Sequence, residues 1–307
     1  MDDCSLLTLV FSSIHQPPAC QLYRVTHVGE NFSVEEILLI SLGYLLEPSA
    51  PVAEQLCPDL YAHRISSGDT LHAMVFKPHS FRPGKKYPTV LYIYGGPDVQ
   101  LVSNVFKIPD FCKDEEVVEE TTVGTAWEGM RSLRIHMLAA LGYCVVAIDS
   151  RGSQYRGVLF ESHLRGRMGT VELSDQVEVL QWLCSRLGFI DPERIAIHGW
   201  SYGGYLSLLA LVHHSDVFKV AVAGAPVTSW HLYDTGYTER YMDLPSLNPE
   251  GYKEGSVLTH AHLFPEDANR LLIIHGLMDE NVHFVHTSEL IGALVRAGKP
   301  YQLQVTD

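Results

Sequence analysis

Short apolar runs alternate with longer amphipathic segments along most of the chain. The runs 90–94, 144–149 and 194–198 are too short for helices and are bounded by turn or polar residues, which is typical of buried strands. Between them, the segments 130–141 and 172–187 carry apolar residues at helical spacing. Strands that alternate with helices predict βαβ crossovers, and therefore an α/β fold with a mostly parallel, twisted central sheet.

The remaining elements follow from the same patterns. A hairpin is predicted where two short strands flank the turn residues Ser67, Gly68 and Asp69. Downstream, the patterns predict a helix over 285–297. The other predicted strands are 62–65 and 71–76 in the hairpin, then 220–223, 271–275 and 301–305.

The first 55 residues lack this alternation of strand and helix patterns. They hold short apolar pieces, such as 6–11 and 21–25, separated by turn residues. These pieces predict β-hairpin fragments of an incomplete unit. We therefore divide the chain into a short β-rich remnant, 1–55, and an α/β domain, 56–307.

An acidic segment, 108–128, interrupts the α/β domain. It contains seven acidic residues and one lysine, so it supplies −6 of the formal net charge of −14. We find no clear periodicity in it and predict an inserted, solvated surface loop. The alternative is an acidic patch that binds a partner.

Overall charge and composition exclude several functions. With 22 basic and 36 acidic side chains, the chain would be repelled by nucleic acid and by anionic membranes. The longest apolar stretch, 37–46, is about half of what a bilayer crossing needs. The six cysteines are scattered and form no C-x-x-C pair, so we expect reduced thiols. The start Met1-Asp2-Asp3 lacks the basic n-region of a secretory signal peptide, so we expect a cytoplasmic protein.

The sequence Gly199-Trp200-Ser201-Tyr202-Gly203 is the strongest candidate for chemistry. It follows the apolar run 195–198 and precedes the helix-prone stretch 205–211. A G-x-S-x-G motif between a strand and a helix is a nucleophile elbow, in which the serine hydroxyl stands exposed on a sharp turn. The alternative is a tight strand-to-helix turn without chemistry.

A nucleophilic serine needs an acid, a base and oxyanion donors. Asp279 follows the predicted strand 271–275, where α/β hydrolases carry the acid; Glu280 is its rival, and a helix N-cap is the alternative role. The backbone N–H of Tyr202 and the phenol of Tyr94 are candidate oxyanion donors. Tyr94 could instead be an ordinary buried strand tyrosine.

Several longer motifs extend this interpretation. The runs GWSYGGYLSLL, YIYGGP, IDSRGS, APVTSWHLYDTGYTERYM, HGLMDENVHF and RAGKPYQLQV resemble, in this order, the prolyl oligopeptidase family of serine peptidases. Within that family they look like the dipeptidyl peptidase 8 and 9 group. The resemblance covers residues from about 60 to 307 and implies an α/β-hydrolase fold preceded by the last remnant of a propeller-like domain.

The resemblance also implies residue roles. Ser201 would be the nucleophile, Asp279 the acid, and Tyr94 with the Tyr202 N–H the oxyanion hole. The implied activity removes dipeptides from peptides with proline or alanine at the second position and needs no cofactor. A homodimer is a further possibility. The implied proline pocket consists of Tyr202, Val227, Trp230, Tyr233, Tyr237, Asn281 and Val282.

The aromatic residues of that pocket can also be interpreted from their chemistry alone. Trp230, Tyr233 and Tyr237 would form a slot in which a flat pyrrolidine ring packs well. Their spacings of three and four would also suit the buried face of one helix.

The base is the weak point of the resemblance. In the family, the catalytic histidine lies beyond the strand predicted at 301–305, and the sequence ends at Asp307. We do not expect His198, His275, His283 or His286 to replace it. We therefore expect a chain truncated at both ends and impaired as an enzyme. The alternatives are an inactive hydrolase-fold binding protein and a small-ester hydrolase; no metal site is expected.

Overall fold

Alternation of apolar residues produces a small antiparallel sheet near the start of the chain. The computed structural model describes residues 6–27, 37–47, 56–105 and 123–307. Strands β1 (Leu6–Ser13), β2 (Gln16–His27) and β3 (Ile37–Leu46) pair in that order. Ser13 pairs with Gln16, so a two-residue turn joins β1 to β2. The predicted β-rich N-terminal piece is confirmed.

A larger sheet of eight strands forms the centre of the rest of the chain. The strand order is β11-β10-β9-β8-β6-β7-β5-β4, and the six strands from β6 to β11 run parallel. The first two strands form an antiparallel hairpin at one edge. The bounds are β4 Asp59–Arg64, β5 Thr70–Phe76, β6 Tyr87–Ile93, β7 Cys144–Asp149, β8 Ile190–Trp200, β9 Val220–Gly224, β10 Leu271–Gly276 and β11 Gln302–Thr306.

Helices connect these strands, as the alternating pattern predicts. The longest two, α1 (Val123–Ala140) and α3 (Val171–Leu187), lead into β7 and β8. Helix α4 (Tyr202–His213) is buried over all but its last residue, which agrees with a composition that is apolar on every face. The shorter helices are α2 (Val158–Glu161), α5 (Thr235–Met242) and α6 (Pro249–Glu254), and α7 (Val285–Arg296) precedes β11.

One predicted boundary is wrong. Helix α1 begins at Val123, inside the segment 108–128 that we predict as a loop without periodicity. The signal is in the sequence, because Val123, Ala126, Trp127 and Met130 recur at the i, i+3, i+4, i+7 spacing of a helix. The rest of the predicted loop, 108–122, lies outside the described residues.

Backbone contacts divide the described chain into two units. One holds the described parts of Met1–Pro58 and Ser103–His136, and the other holds Asp59–Val102 and Met137–Asp307. This grouping assigns the described residues of 103–136 to the N-terminal unit, whereas the predicted division keeps 108–128 as an insertion in the α/β domain. The domain division therefore stays a prediction. The second unit contains the whole eight-stranded sheet and its core.

Candidate active site

Ser201 occupies a sharp turn between β8 and α4. Its backbone has φ 58° and ψ −115°, a left-handed angle that a residue with a Cβ adopts only at a cost of about 1–3 kcal/mol. The turn is held in place because the Ser201 N–H donates to the Gly224 carbonyl at 2.9 Å. The side chain is half-buried. This is the geometry that the elbow motif predicts.

Glycine is required on both sides of this serine. A Cβ on Gly199 would lie 2.5 Å from the carbonyl carbon of Gly203, and a Cβ on Gly203 would overlap the carbonyl oxygen of Ile93. Real Cβ atoms do not approach backbone atoms so closely. Strand β6, strand β8 and helix α4 therefore meet here with no space for a side chain.

Tyr94 lies directly after β6, the strand next to β8. Because Ile93 pairs with Gly199 in the parallel register, Tyr94 and Ser201 leave the sheet at the same edge. The rings of Tyr94 and Tyr202 are 6.1 Å apart between centroids. The Tyr202 N–H is among the first of α4, and such groups have no acceptor within their own helix. The Tyr202 N–H therefore follows Ser201 directly, and Tyr94 leaves the sheet at the same edge.

Asp279 follows β10 and is held by a local turn. Its Oδ1 accepts the backbone N–H groups of Asn281 at 3.0 Å and Val282 at 2.9 Å, and its side chain is 23% exposed. Helix α7 begins only at Val285, so Asp279 does not cap that helix. Its rival Glu280 is exposed.

Strand spacing relates this acid to the serine. Trp200 pairs with Gly224 of β9, and Gly224 pairs with Ile274 of β10. Two strand spacings, about 10 Å, thus separate the ends of β8 and β10. An imidazole that bonds to a serine on one side and to an aspartate on the other would span this interval.

Three of the four histidines considered as the base are held by other groups. His275 is fully buried, with Nδ1 2.7 Å from Thr287 Oγ1 and Nε2 2.7 Å from the Val282 carbonyl. His286 Nδ1 accepts the Thr228 N–H at 3.0 Å, and burial lowers the pKa of His286 to about 4. His198 is half-buried, and its Nδ1 lies 3.0 Å from the Val222 carbonyl. His283 is exposed.

Four aromatic rings form a cluster next to Tyr94. Trp230 lies 5.6 Å from Tyr202 and stacks on Tyr237 at 6.2 Å, while Tyr233 and Tyr237 meet edge to face at 5.3 Å. Trp230 lies in a 3₁₀ turn and Tyr237 in α5, which begins at Thr235. The alternative that these aromatics share the face of one helix is therefore wrong.

The other predicted pocket residues are placed around this cluster. Tyr233 donates its hydroxyl to Asn281 Oδ1 at 2.8 Å, which joins the aromatic cluster to the turn after Asp279. Burial raises the pKa of Tyr233, with further contributions from Asp234, Tyr94 and Asp279. The two valines of the predicted pocket, Val227 and Val282, are buried.

Two acidic residues near the site were missed by the sequence interpretation. Asp98, in the loop after Tyr94, accepts the Tyr241 hydroxyl at 2.6 Å. Glu172, in the first turn of α3, accepts the Tyr202 hydroxyl at 2.5 Å. The sequence offers no local signal for either contact, because an acid in the first turn of a helix normally faces solvent.

The strand order and the elbow after β8 define the class of protein. A sheet with one antiparallel hairpin at its edge, a serine on a strand-to-helix turn and an acid after a later strand is an α/β-hydrolase fold. The predicted fold class is confirmed. Among the described residues, no helix is both long and apolar enough to cross a bilayer, and no group of three or more His, Cys, Asp or Glu side chains could hold a metal ion.

The chain belongs to the prolyl oligopeptidase family, whose model matches residues 129–307. It is 52% identical to dipeptidyl peptidase 8 of Homo sapiens over 302 residues, which cover 98% of this chain and 31% of that protein. It is 37% identical to dipeptidyl peptidase 4 of Sus scrofa over 233 residues, or 75% and 27% of the two chains. This chain therefore spans less than a third of the length of these curated relatives.

A solved structure matches the same fold. A crystal structure from Bacteroides ovatus, described as a dipeptidyl aminopeptidase IV, superposes with a TM-score of 0.79 and 33% identity. The match covers 98% of this chain and 38% of that one. The expected family is confirmed by these comparisons, and the fold agrees along nearly the whole chain.

Proposed function

We propose that this chain forms the catalytic domain of a serine peptidase that releases dipeptides from peptide amino termini after proline or alanine. The observation that carries the proposal is the strained Ser201 turn beside a cluster of four aromatic rings. The names of the relatives, which are dipeptidyl peptidases, support the same activity.

In this proposal, each residue around Ser201 has a separate role. The Ser201 hydroxyl attacks the scissile carbonyl once a base removes its proton, and the new oxyanion accepts hydrogen bonds from the Tyr94 hydroxyl and the Tyr202 N–H. Asp279 orients the base and stabilises its protonated form. Its Oδ1 accepts two backbone N–H groups, and its Oδ2, which lies 3.6 Å from His275 Nε2, is the oxygen proposed to face the base.

The aromatic cluster is proposed to select the residue before the cleaved bond. A pyrrolidine ring is flat, apolar and uncharged, so it loses little hydration when it packs between Trp230, Tyr233 and Tyr237. A long charged side chain would be desolvated there without a partner. Val227, Asn281 and Val282 complete the pocket beside the Tyr202 ring.

The base is proposed to be none of the four weighed histidines. The hydrogen bonds of His275 and His286 lead to Thr287, Val282 and Thr228 and not to Ser201. His198 Nδ1 lies 3.0 Å from the Val222 carbonyl. A triad that lacks one member loses roughly 10⁴ to 10⁶ in turnover. We therefore expect slow reaction of the polypeptide 1–307, and this impairment stays a prediction.

Labelling of Ser201 by a fluorophosphonate tests the nucleophile and its base. We expect slow labelling that disappears in Ser201→Ala and is unchanged in His275→Gln or His286→Gln variants that remain folded. Fast stoichiometric labelling of the wild-type chain would contradict the assignment of the base. Rapid labelling that survives Ser201→Ala would exclude Ser201 as the nucleophile.

Hydrolysis of an Ala-Pro anilide compared with that of a simple acetyl ester tests the specificity. A peptidase prefers the Ala-Pro substrate, and Trp230→Ala reduces that preference. A small-ester hydrolase prefers the acetyl ester. Because turnover of the wild-type chain is expected to be slow, a binding protein is indicated only if neither substrate is hydrolysed faster than by Ser201→Ala. Peptides with proline or alanine at the second position are the proposed partners; cytoplasmic location and a homodimer stay predictions.

A further inference from the structure

A carboxylic acid is buried beneath the elbow, and the proposed chemistry gives it no role. Glu172, in the first turn of α3, has no exposed surface. Its Oε1 accepts two hydrogen bonds, from the Tyr202 hydroxyl at 2.5 Å and from the Gly169 N–H at 2.8 Å. Its Oε2 is buried without a hydrogen-bond partner among the described residues. A buried carboxylic acid with an unpartnered oxygen is rare in folded proteins and needs a structural or functional explanation.

Its surroundings favour the neutral acid. Burial raises the pKa of Glu172, and the hydrogen bonds from Tyr202 and Gly169 oppose that rise without cancelling it. On the neighbouring helix α4, Glu172 contributes to the raised pKa of two phenols, those of Tyr202 and Tyr205. On its own helix, Asp175 is bound to Arg151 at 2.7 Å.

The bond from Tyr202 connects this acid to the site. The ring of Tyr202 lies between those of Tyr94, at 6.1 Å, and Trp230, at 5.6 Å, and a Cβ on Gly96 would come within 2.7 Å of it. The same residue contributes the N–H next to Ser201. Tyr202 therefore contributes both a wall of the proposed pocket, through its ring, and a proposed oxyanion donor, through its backbone N–H.

A second ring of the pocket is anchored independently. Trp230 Nε1 donates to the Tyr205 hydroxyl at 3.3 Å, and that hydroxyl lies 2.8 Å from the Gly255 carbonyl. The indole is thus held by a bond that does not include Glu172. Loss of Glu172 should release the Tyr202 ring while Trp230 keeps its anchor.

We propose that Glu172 is a positioning residue of this active site, which acts by fixing the Tyr202 phenol and, through it, the pocket wall and the N–H beside Ser201. The inference rests on the proposed function for the pocket, but the bond between the two side chains can be tested without any ligand. Glu172→Gln keeps an acceptor for the phenol, whereas Glu172→Ala removes it.

The first measurement is fluorine NMR of the whole chain labelled with 3-fluorotyrosine. The Tyr202 resonance is assigned by its loss in Tyr202→Phe. We expect this resonance to titrate with pH in the wild-type chain, not to titrate in Glu172→Gln, and to shift in Glu172→Ala. Glu178→Gln is the matched control on the same helix, since Glu178 is bonded to the remote Ser66. Identical titration in the wild-type chain and Glu172→Gln would overturn the proposal, even if Glu172→Ala does not fold.

The second measurement is calorimetric affinity for alanyl-pyrrolidide. The loss of one anchoring hydrogen bond predicts roughly tenfold weaker binding in Glu172→Ala and affinity close to the wild type in Glu172→Gln and Glu178→Gln. Unchanged affinity in a folded Glu172→Ala would overturn the proposal. If the wild-type chain does not bind the pyrrolidide, the proposed pocket is wrong, and the fluorine resonance alone decides whether Glu172 fixes Tyr202.

Discussion

The serine side and the acid side of the candidate site are built by different forces. Around Ser201, glycine backbones touch other backbones, and the turn is fixed by the lack of space. Around Asp279, the loop is fixed by hydrogen bonds, and its neighbours Leu277 and Met278 are 51% and 80% exposed. The comparison teaches that one half of the site should be sensitive to volume and the other to protonation.

The largest effect is expected from volume on the serine side. In Gly203→Ala, the added Cβ meets the carbonyl oxygen of Ile93 and the Cα of Tyr94, and neither backbone can move without breaking the sheet. We expect a loss of about 4 kcal/mol in the free energy of unfolding, or no folded protein. Urea denaturation measures this loss.

The matched control lies on the acid side. A Cβ on Gly276, at the end of β10, would meet Thr306 Oγ1 at an ordinary 3.5 Å. We expect Gly276→Ala to change stability by less than about 1 kcal/mol. Equal losses in the two variants would show that the serine side is no tighter than the acid side.

The next effect is a pH dependence carried by His286. Its pKa falls from 6.5 to about 4 on burial, so the unfolded chain binds the proton first as the pH falls. The stability that His286 contributes is complete above pH 6.5 and is lost as the pH falls through 4, by about 3 kcal/mol. Denaturation at several pH values should show this loss in the wild-type chain and not in His286→Gln.

The control for this dependence is the exposed His283, because His283→Gln should keep the wild-type slope. Comparison of variants at each pH removes the contributions of other titrating groups. A His286→Gln variant with the wild-type slope would mean that another group carries the pH sensitivity of the acid side.

A smaller effect is expected from Asp279 itself. Asp279→Ala leaves the N–H groups of Asn281 and Val282 without their acceptor, which costs about 1–2 kcal/mol, whereas Asp279→Asn keeps an oxygen for them. Thermal unfolding distinguishes the two variants. Glu280→Ala, in the same loop, should stay within about 0.5 kcal/mol of the wild type. A greater loss in Glu280→Ala than in Asp279→Ala would show that Glu280, and not Asp279, stabilises the loop.

The smallest effect concerns the bond between Asp98 and Tyr241. Burial, and then the Asp98 hydrogen bond, raise the pKa of Tyr241 to about 12. In Asp98→Asn we expect this pKa to fall, with a stability change below about 0.5 kcal/mol because Asp98 is exposed to solvent. Ultraviolet titration, with Tyr241→Phe to assign the signal, measures the shift. An unchanged Tyr241 pKa would rule out the contact in solution.

The sequence was informative where local geometry determines the residue. A serine between two glycines, after a short strand, requires a tight turn, and alternating strands and helices require a parallel sheet; both expectations agree with the structure. The boundary of α1 was missed although its periodicity is present. Pattern analysis thus recovered the sheet more completely than the helix that precedes β7.

The polar contacts beneath the site could not be predicted in the same way. Tyr241 and Asp98 are 143 positions apart, and no local pattern pairs them. An acid near a helix start normally faces solvent and the helix dipole, so Glu172 gave no sign that it is buried against a phenol 30 positions away. Such contacts depend on how distant segments pack, which one sequence does not reveal.

The left-handed angle at Ser201 lowers the stability of the fold at the position that carries the proposed reactive hydroxyl. A glycine there would adopt the same turn without steric penalty, so selection for heat resistance alone would favour losing the side chain. The scaffold tolerates a hydroxyl at that position without needing it. If Ser201 is the proposed nucleophile, the reason for a serine at this bend lies in reaction rates and not in melting temperatures.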